Sequence, residues 1–240
     1  MKSVAFFALR CWRPQFVVLA LTLLITAGCT RVATRLPAAL PVLPPLVTAG
    51  AKHYTIQSAG SDVRFLAYRA GPLAAFGHNH VIHAATINGD VYLNSQFSLS
   101  GFAFTLPLKD FQVDEPAERA AEGPDFAVQP SDEAIAGTKH NMLGSALLDE
   151  AQYPEIAVRS AAVTGPQISP TVTIRVTLRG VQRDIRIPIS LILSGSQLTA
   201  SGHFDIKQSD FGITPFSILG GGLQVADTVK VEFRIVAWLD

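Results

Sequence analysis

Alternation of apolar and polar residues at every second position is the feature that most constrains this chain. Because successive side chains of a strand point to opposite faces, this period predicts β-strands. The predicted strands cover residues 102–108, 156–163, 172–178, 185–193, 198–206 and 229–238, with earlier ones near Tyr54, Val63, His78 and Thr86. Short connections without a βαβ rhythm predict an all-β fold, in which eight or nine antiparallel strands curl into a barrel or a sandwich.

Turn residues between these strands predict how the strands are connected. Segments 179–183 and 194–196 have the composition of hairpin turns. Residues 78–84 and 86–93 are predicted to form one long bent strand or two strands, with Gly89 a candidate β-bulge.

The middle of the chain breaks the strand pattern. Four acidic residues crowd into positions 114–122, and three prolines lie within 109–130, so this segment is predicted to be a loop with one helical turn. A helix is predicted from 132 to about 148, because Ser131 suits an N-cap and the acidic residues after it favour the positive end of the helix dipole. The apolar face of this helix would consist of Ile135, Met142, Leu143 and Leu147.

Residues 1–28 have the three parts of an export signal: a basic start, an apolar run over 16–25, and small residues before Cys29. The apolar run is short for a membrane span. Segment 26–29 resembles the lipobox of bacterial lipoproteins, in which the signal is cut before the cysteine and the thiol carries diacylglycerol. Cys29 is therefore the predicted lipidation site of a periplasmic or outer-membrane-anchored lipoprotein. The alternative is an ordinary cleaved signal or an uncleaved anchor.

The rest of the chain divides into a tether and one domain. Residues 29–51 are rich in proline and alanine, which predicts a semi-extended tether, and residues 52–240 form the predicted β domain. Without residues 1–28 the chain has a net charge of about −3 and no cysteine after Cys29. This balance excludes the basic footprint of a nucleic-acid-binding protein, and the domain is expected to fold without disulfides.

Histidines near residue 80 are the strongest candidates for a functional site. His78 and His80 are predicted to share one face of a strand, where two imidazoles could bind one metal ion with a further ligand such as His203, His140 or His53. No spacing matches a known metal motif, and no Gly-x-Ser-x-Gly elbow indicates a nucleophilic hydrolase. The residues alone leave open a metal site, a polar or pH-sensitive contact at a cavity mouth, or structural hydrogen bonding, which is favoured.

Five short segments, in this order, resemble the YceI family. They lie at 142–144, 153–160, 176–181, 207–213 and 225–229 and read MLG, YPEIAVRS, VTLRGV, KQSDFGI and VADTV. The resemblance covers about 53–238. It implies an eight-stranded antiparallel lipocalin-like barrel with one packed α-helix and an apolar cavity for a polyisoprenoid chain. The Gly-His-Asn-His cluster at 77–80 departs from many members and resembles a histidine-bearing subgroup.

The resemblance implies a binding protein rather than an enzyme, without a cofactor. Its expected role is to carry or sequester a polyisoprenoid or other lipophilic ligand in the bacterial cell envelope, attached to the membrane through the N-terminal lipid. The candidate ligand-binding residues are Phe65, Phe76, His78, His80, Phe104, Ile206 and Phe211. The alternatives are a metal-binding protein or metalloenzyme, with His78, His80 and His203 as candidate ligands, and a structural or partner-binding envelope protein.

Overall fold

The computed structural model describes residues 40–240, which contain twelve β-strands and two α-helices. The strands are β1 (Lys52–Ala70), β2 (His80–Ala84), β3 (Asn88–Leu93), β4 (Gly101–Pro107), β5 (Phe111–Val113), β6 (Glu155–Thr164), β7 (Thr171–Leu178), β8 (Val181–Pro188), β9 (Ser190–Ser194), β10 (Gln197–Lys207), β11 (Ser217–Ile218) and β12 (Leu223–Leu239). The helices are α1 (Pro116–Ala121) and α2 (Asp132–Leu143). Within this part of the chain, no helix is both long and apolar enough to span a bilayer. The predicted export signal and Cys29 lie outside the described residues.

Nine of the strands form one continuous antiparallel sheet in the order β8-β7-β6-β4-β3-β1-β12-β10-β9. The sheet curls into a half-barrel, which confirms the predicted all-β antiparallel fold. Its two end strands, β8 and β9, follow each other directly in sequence.

Strand β1 divides the sheet into two branches. Residues 52–55 of β1 pair with β3, residues 64–67 pair with β2, and β12 runs along the other edge of β1. The register shifts between Gln57 and Asp62, where Gly60 adopts a positive φ of 85°. Strand β2 continues the branch by pairing with β5, which leads into the 114–130 segment. The branch therefore brings the histidine segment and the acidic segment together.

The hairpin turn between β7 and β8 lies where the sequence predicts a turn. Arg179 and Gly180 both have positive φ values, 50° and 72°, which the tight turns of hairpins require. The prediction of a β-bulge at Gly89 is wrong, because β3 and β4 pair through this residue without a register shift. A Cβ there would lie 2.2 Å from the Ala103 carbonyl oxygen, so glycine is needed for close strand approach.

Helix α2 begins where predicted, since the Ser131 side chain accepts a hydrogen bond from the Ala134 N–H. It ends earlier than predicted, at Leu143, because the chain leaves the helix at Gly144 with a ψ of 164°. Residues 145–150 continue as turns closed by hydrogen bonds back to the helix end. The predicted helical turn in the acidic segment is present as α1.

The core lies inside the curl of the sheet. Along β7, Val172, Ile174, Val176 and Leu178 are buried and point inward, which is the alternation that the sequence predicts. A second, smaller cluster forms on the outer face of β1 and β2, where Leu66 and Val81 pack beneath Phe126. Strand β2 is thus covered on both faces.

Residues 40–51 have no regular strand or helix, as the proline content predicts, but they lie against the domain. Arg175 on β7 donates a hydrogen bond to the Pro41 carbonyl, and Arg159 on β6 donates one to the Pro44 carbonyl. Proline carbonyls accept such bonds although the ring removes the backbone donor. This half of the predicted tether therefore covers part of the outer face of the sheet.

Candidate ligand-binding cavity

The curled sheet encloses an apolar cavity of about 330 Å³. That volume lies at the lower end of the range of roughly 300–1,000 Å³ typical of small-molecule pockets. Aliphatic and aromatic side chains from the inner face of the sheet form its wall, and none of its lining residues is an Asp, Glu, Lys or Arg. The sequence alone could not decide between a solid core and a cavity, and the structure has a cavity.

Helix α2 and the turn after it cover part of the cavity. Met142 and Leu147 contribute apolar surface, and Thr138 and Asn141 contribute polar groups. Asn141 lines the cavity and is also exposed to solvent, so the cavity approaches the surface beside this helix.

His80 is the one lining residue with an ionisable ring. It opens β2 opposite Ala67, and its side chain is 15% exposed. Alternation along β2 places His80 and Ile82 on the cavity side and Val81 in the outer cluster. The same alternation that makes β2 a strand therefore places the His80 ring on the apolar wall of the cavity.

A buried carboxylate holds the His80 ring. The Nδ1 atom of His80 lies 2.6 Å from Oδ2 of Asp114, whose side chain is fully buried. The Val81 N–H donates to Oδ1 of Asp114 at 3.0 Å, and the Asp114 N–H donates to the Val81 carbonyl at 2.8 Å. The carboxylate is thus fixed to the backbone of the strand that carries the histidine.

Arg119 of α1 balances the charge of this carboxylate. Its guanidinium, 3% exposed, donates to Oδ1 of Asp114 at 2.5 Å and to the carbonyls of Asn79 and Val128 at 2.7 and 2.5 Å. Buried charges persist in proteins when they are paired and hydrogen-bonded in this way. We call His80, Asp114 and Arg119 the cavity triad.

The protonation state of Asp114 follows from these contacts. Burial alone raises the pKa of its carboxyl, but the hydrogen bonds from His80, the Val81 N–H and Arg119 together outweigh burial and leave the pKa below its ordinary value. Asp114 is therefore ionised at neutral pH. An ionised carboxylate only accepts hydrogen bonds, so His80 carries a proton on Nδ1.

Four of the seven predicted ligand-binding residues line the cavity: Phe65, His80, Phe104 and Ile206. Phe65 stacks on Phe111 and Phe104 stacks on Phe102, with ring centroids 5.7 and 5.9 Å apart. These pairs contribute to an aromatic section of the cavity wall.

The other three predicted residues lie elsewhere. Phe76 is 80% exposed, because the Gly71–Pro72 turn directs its short helical segment outward and the Leu73 N–H is bound to the Gly222 carbonyl. His78 precedes β2 and is exposed beside Phe76, in a small surface cleft. Phe211 is buried in the core but follows the end of β10, so its ring is not part of the cavity wall.

Of the candidate metal ligands, His78 and His80 have ring centroids 6.4 Å apart, but His203 and His53 lie elsewhere. His203 lies on β10 opposite Glu232, at an exposed position whose neighbours Gly202 and Phe204 have the opposite orientation. His53 hydrogen-bonds to Asp90 and lies 2.5 Å from the Asp240 carboxylate. Within residues 40–240, no group of three His, Cys, Asp or Glu side chains could hold a metal ion.

Sequence reasoning missed Asp114 and Arg119. Both lie in the acidic segment that was predicted to be a loop with one helical turn, 34 and 39 positions from His80. One signal was present: Arg119 is the single basic residue between positions 110 and 138. A lone cation among acids in a segment that also contains Phe111 and Phe126 is consistent with a buried ion pair.

A curled antiparallel sheet around an apolar cavity defines a class of small binding domains that enclose lipophilic molecules. The family model of the YceI-like domain matches residues 54–237, so the chain belongs to the YceI-like domain family. The histidine-bearing subgroup stays a prediction.

Solved structures that share the fold include the following two. BcnA of Burkholderia cenocepacia is 17% identical, with a TM-score of 0.56 over 75% of this chain and 98% of that one. A polyisoprenoid binding domain from Saccharophagus degradans, implicated in plant cell wall breakdown, is 13% identical, with a TM-score of 0.52 over 78% and 98%. No curated protein matches the chain.

Proposed function

We propose that this protein binds a polyisoprenoid or another lipophilic molecule and carries or sequesters it in the bacterial cell envelope without catalysing a reaction. The observation that carries the proposal is the cavity of about 330 Å³, whose wall is apolar and lacks acidic and basic side chains. Membership of the YceI-like family and the fold shared with a polyisoprenoid binding domain support the same ligand class.

The physical basis is the transfer of hydrocarbon out of water. Each buried CH₂ group contributes roughly 0.8 kcal/mol, so a chain of several isoprene units is retained without directional contacts along its length. A neutral wall suits such a chain, because a charged side chain facing it would lose hydration.

We also propose that Cys29 carries a lipid that holds the protein at a membrane. The proposal rests on the basic, apolar and small-residue parts of 1–28 and on the lipobox-like 26–29. A ligand of low aqueous solubility would then be exchanged with the bilayer over a short distance.

Filling the cavity tests the binding function. Ala200 lies on the inner face of β10 between Leu191 and Ile235, and all three line the cavity. Ala200→Phe should lower the affinity for a fluorescent prenyl or acyl probe at least about tenfold, because the new ring occupies ligand volume. The matched control is Ser201→Phe, on the adjacent residue and the opposite face, which should bind as the parent does.

The native ligand can be sought by organic extraction of the purified protein followed by mass spectrometry. We expect a lipophilic molecule in the parent and less of it in Ala200→Phe. A parent protein that yields no lipid and takes up no prenyl or acyl probe would contradict the proposed function.

A further inference from the structure

The cavity wall carries a fixed hydrogen-bonding group that a hydrocarbon chain would not use. His80 lines the cavity with its ring, and its Nδ1 atom is occupied by Asp114. Nε2 has no hydrogen-bond partner within the described part of the chain and is not sealed off by protein atoms. It is therefore the ring nitrogen that remains for a bound molecule.

The cavity triad fixes what Nε2 can do. Ionised Asp114 accepts the hydrogen bond from Nδ1–H, which leaves Nε2 as the ring nitrogen that can accept a hydrogen bond from a ligand. A carboxylate behind an imidazole also makes the far nitrogen a stronger acceptor, as it does for histidines that bind metals. Arg119 forms an ion pair with Asp114 and so stabilises the ionised carboxylate.

Other polar side chains also line the cavity. Thr138 and Asn141 of α2 line the same cavity, and α2 packs on β5, the partner strand of β2. Gln208, at the end of β10, also lines it, with its amide nitrogen bound to the Ala226 carbonyl. Ala67, Val229 and Ile206 continue the row from His80 across β1, β12 and β10, and all are apolar.

We propose that the ligand is an alcohol: a lipophilic chain with a terminal hydroxyl group that donates a hydrogen bond to Nε2 of His80. This inference rests on the proposed function and deepens it, because it names the head group and the residue that recognises it. Asp114 and Arg119 act as positioning residues, which hold the tautomer and orientation of the ring without touching the ligand.

The assignment of a hydroxyl head group is tested with three probes that share one farnesyl chain. Farnesol has an O–H donor, farnesyl methyl ether keeps the oxygen but lacks the donor, and farnesoic acid is ionised at neutral pH. The parent should bind the alcohol between about two- and tenfold more tightly than the ether, as a single net hydrogen bond predicts. It should bind the alcohol more tightly than the carboxylate, which would enter the apolar cavity with its charge.

The variant His80→Phe keeps an aromatic ring on the wall and removes the acceptor. We expect the ratio of ether to alcohol dissociation constants to fall to about one, with the affinity for the ether retained. The matched control is His203→Phe, the same substitution at an exposed position of β10 that does not line the cavity. It should keep the preference of the parent for the alcohol.

A second measurement does not depend on any variant folding. In protein labelled with ¹⁵N at histidine, the Nε2 resonance of His80 should shift when farnesol binds and change much less with the ether. Equal affinities of the parent for alcohol and ether, or tighter binding of the acid, would overturn the assignment of a hydroxyl while leaving lipid binding intact. Failure of all three probes to bind would instead contradict the proposed function.

Discussion

The buried carboxylate of Asp114 connects the histidine strand to the acidic segment. It receives hydrogen bonds from His80, from the Val81 N–H and from Arg119, and its own backbone adopts a positive φ of 56°. A non-glycine residue in that conformation is uncommon, although aspartate tolerates it better than most residues. Both the side-chain contacts and the backbone conformation of Asp114 therefore suit an aspartate at this position.

Acid should weaken the fold through Asp114. Its folded-state pKa lies below the unfolded value of about 3.9. Ionised Asp114 therefore stabilises the folded state fully above about pH 4, and this contribution is lost as the pH falls through the folded-state pKa. In urea titrations at several pH values, the free energy of unfolding of the parent should fall below about pH 4.

The variant Asp114→Asn should lose roughly 3–5 kcal/mol of stability at pH 7, because it leaves the buried Arg119 without its counter-charge. Its stability should also depend less steeply on pH in the acid range. Asp125→Asn, in the same segment but exposed, should behave as the parent does. Parallel pH profiles for the parent and Asp114→Asn would contradict the role given to the triad.

For individual residues, the sequence predicted the orientation of His80 but not its partners Asp114 and Arg119. His80 could be placed by the period of its strand, because that period depends only on neighbouring residues. Asp114 and Arg119 reach it through the pairing of β2 with β5, a contact between segments about 30 positions apart. Phe76 was a predicted ligand-binding residue, but its side chain is exposed to solvent.

Among the elements, β3 and β4 show how close strand approach shapes the cavity wall. Gly89 lies directly opposite Phe104, which lines the cavity. A Cβ at Gly89 would also lie 2.5 Å from the Phe104 Cα. The strands can pair at this point only because the glycine has no side chain.

Two Gly→Ala substitutions should therefore have opposite effects. Gly89→Ala should destabilise the fold by at least roughly 3 kcal/mol, because backbone atoms of β4 would have to move. Gly137→Ala, inside α2 with open space around its Cβ position, should stabilise it by about 0.5–1 kcal/mol. Denaturant midpoints measure both, and a tolerated Gly89→Ala would show that β3 and β4 can separate without cost.

Strands were the most predictable elements, because alternation is a local signal that burial on one face imposes. Residues 198–206 were predicted as a strand, and β10 spans Gln197–Lys207. The predicted strand 185–193 is two strands, β8 and β9, separated at Ile189, whose N–H donates to the Pro170 carbonyl. Pro188, directly before the break, was a local signal for it, because proline cannot donate a hydrogen bond to a strand ladder.

For the whole molecule, the described part of the predicted tether limits how far the domain can lie from a lipid on Cys29. Residues 41 and 44 are bound to arginines of β6 and β7. If Cys29 carries a lipid, the ten residues from 30 to 39 separate it from the docked segment and can span at most roughly 35 Å. The domain would then lie close to the membrane surface.

Replacing Cys29 tests this arrangement. We expect the parent to incorporate labelled acyl chains and to fractionate with membranes, since two or more buried chains anchor a protein stably where one chain does not. Cys29→Ala should lose both the label and the membrane association, because no other residue offers the lipobox thiol. Cys11→Ala is the matched control: it removes the other cysteine of the chain, within the predicted signal, and should change neither result. Membrane fractionation of Cys29→Ala like that of the parent, together with a parent that takes up no acyl label, would contradict the lipid anchor and leave the cavity to exchange its ligand without one.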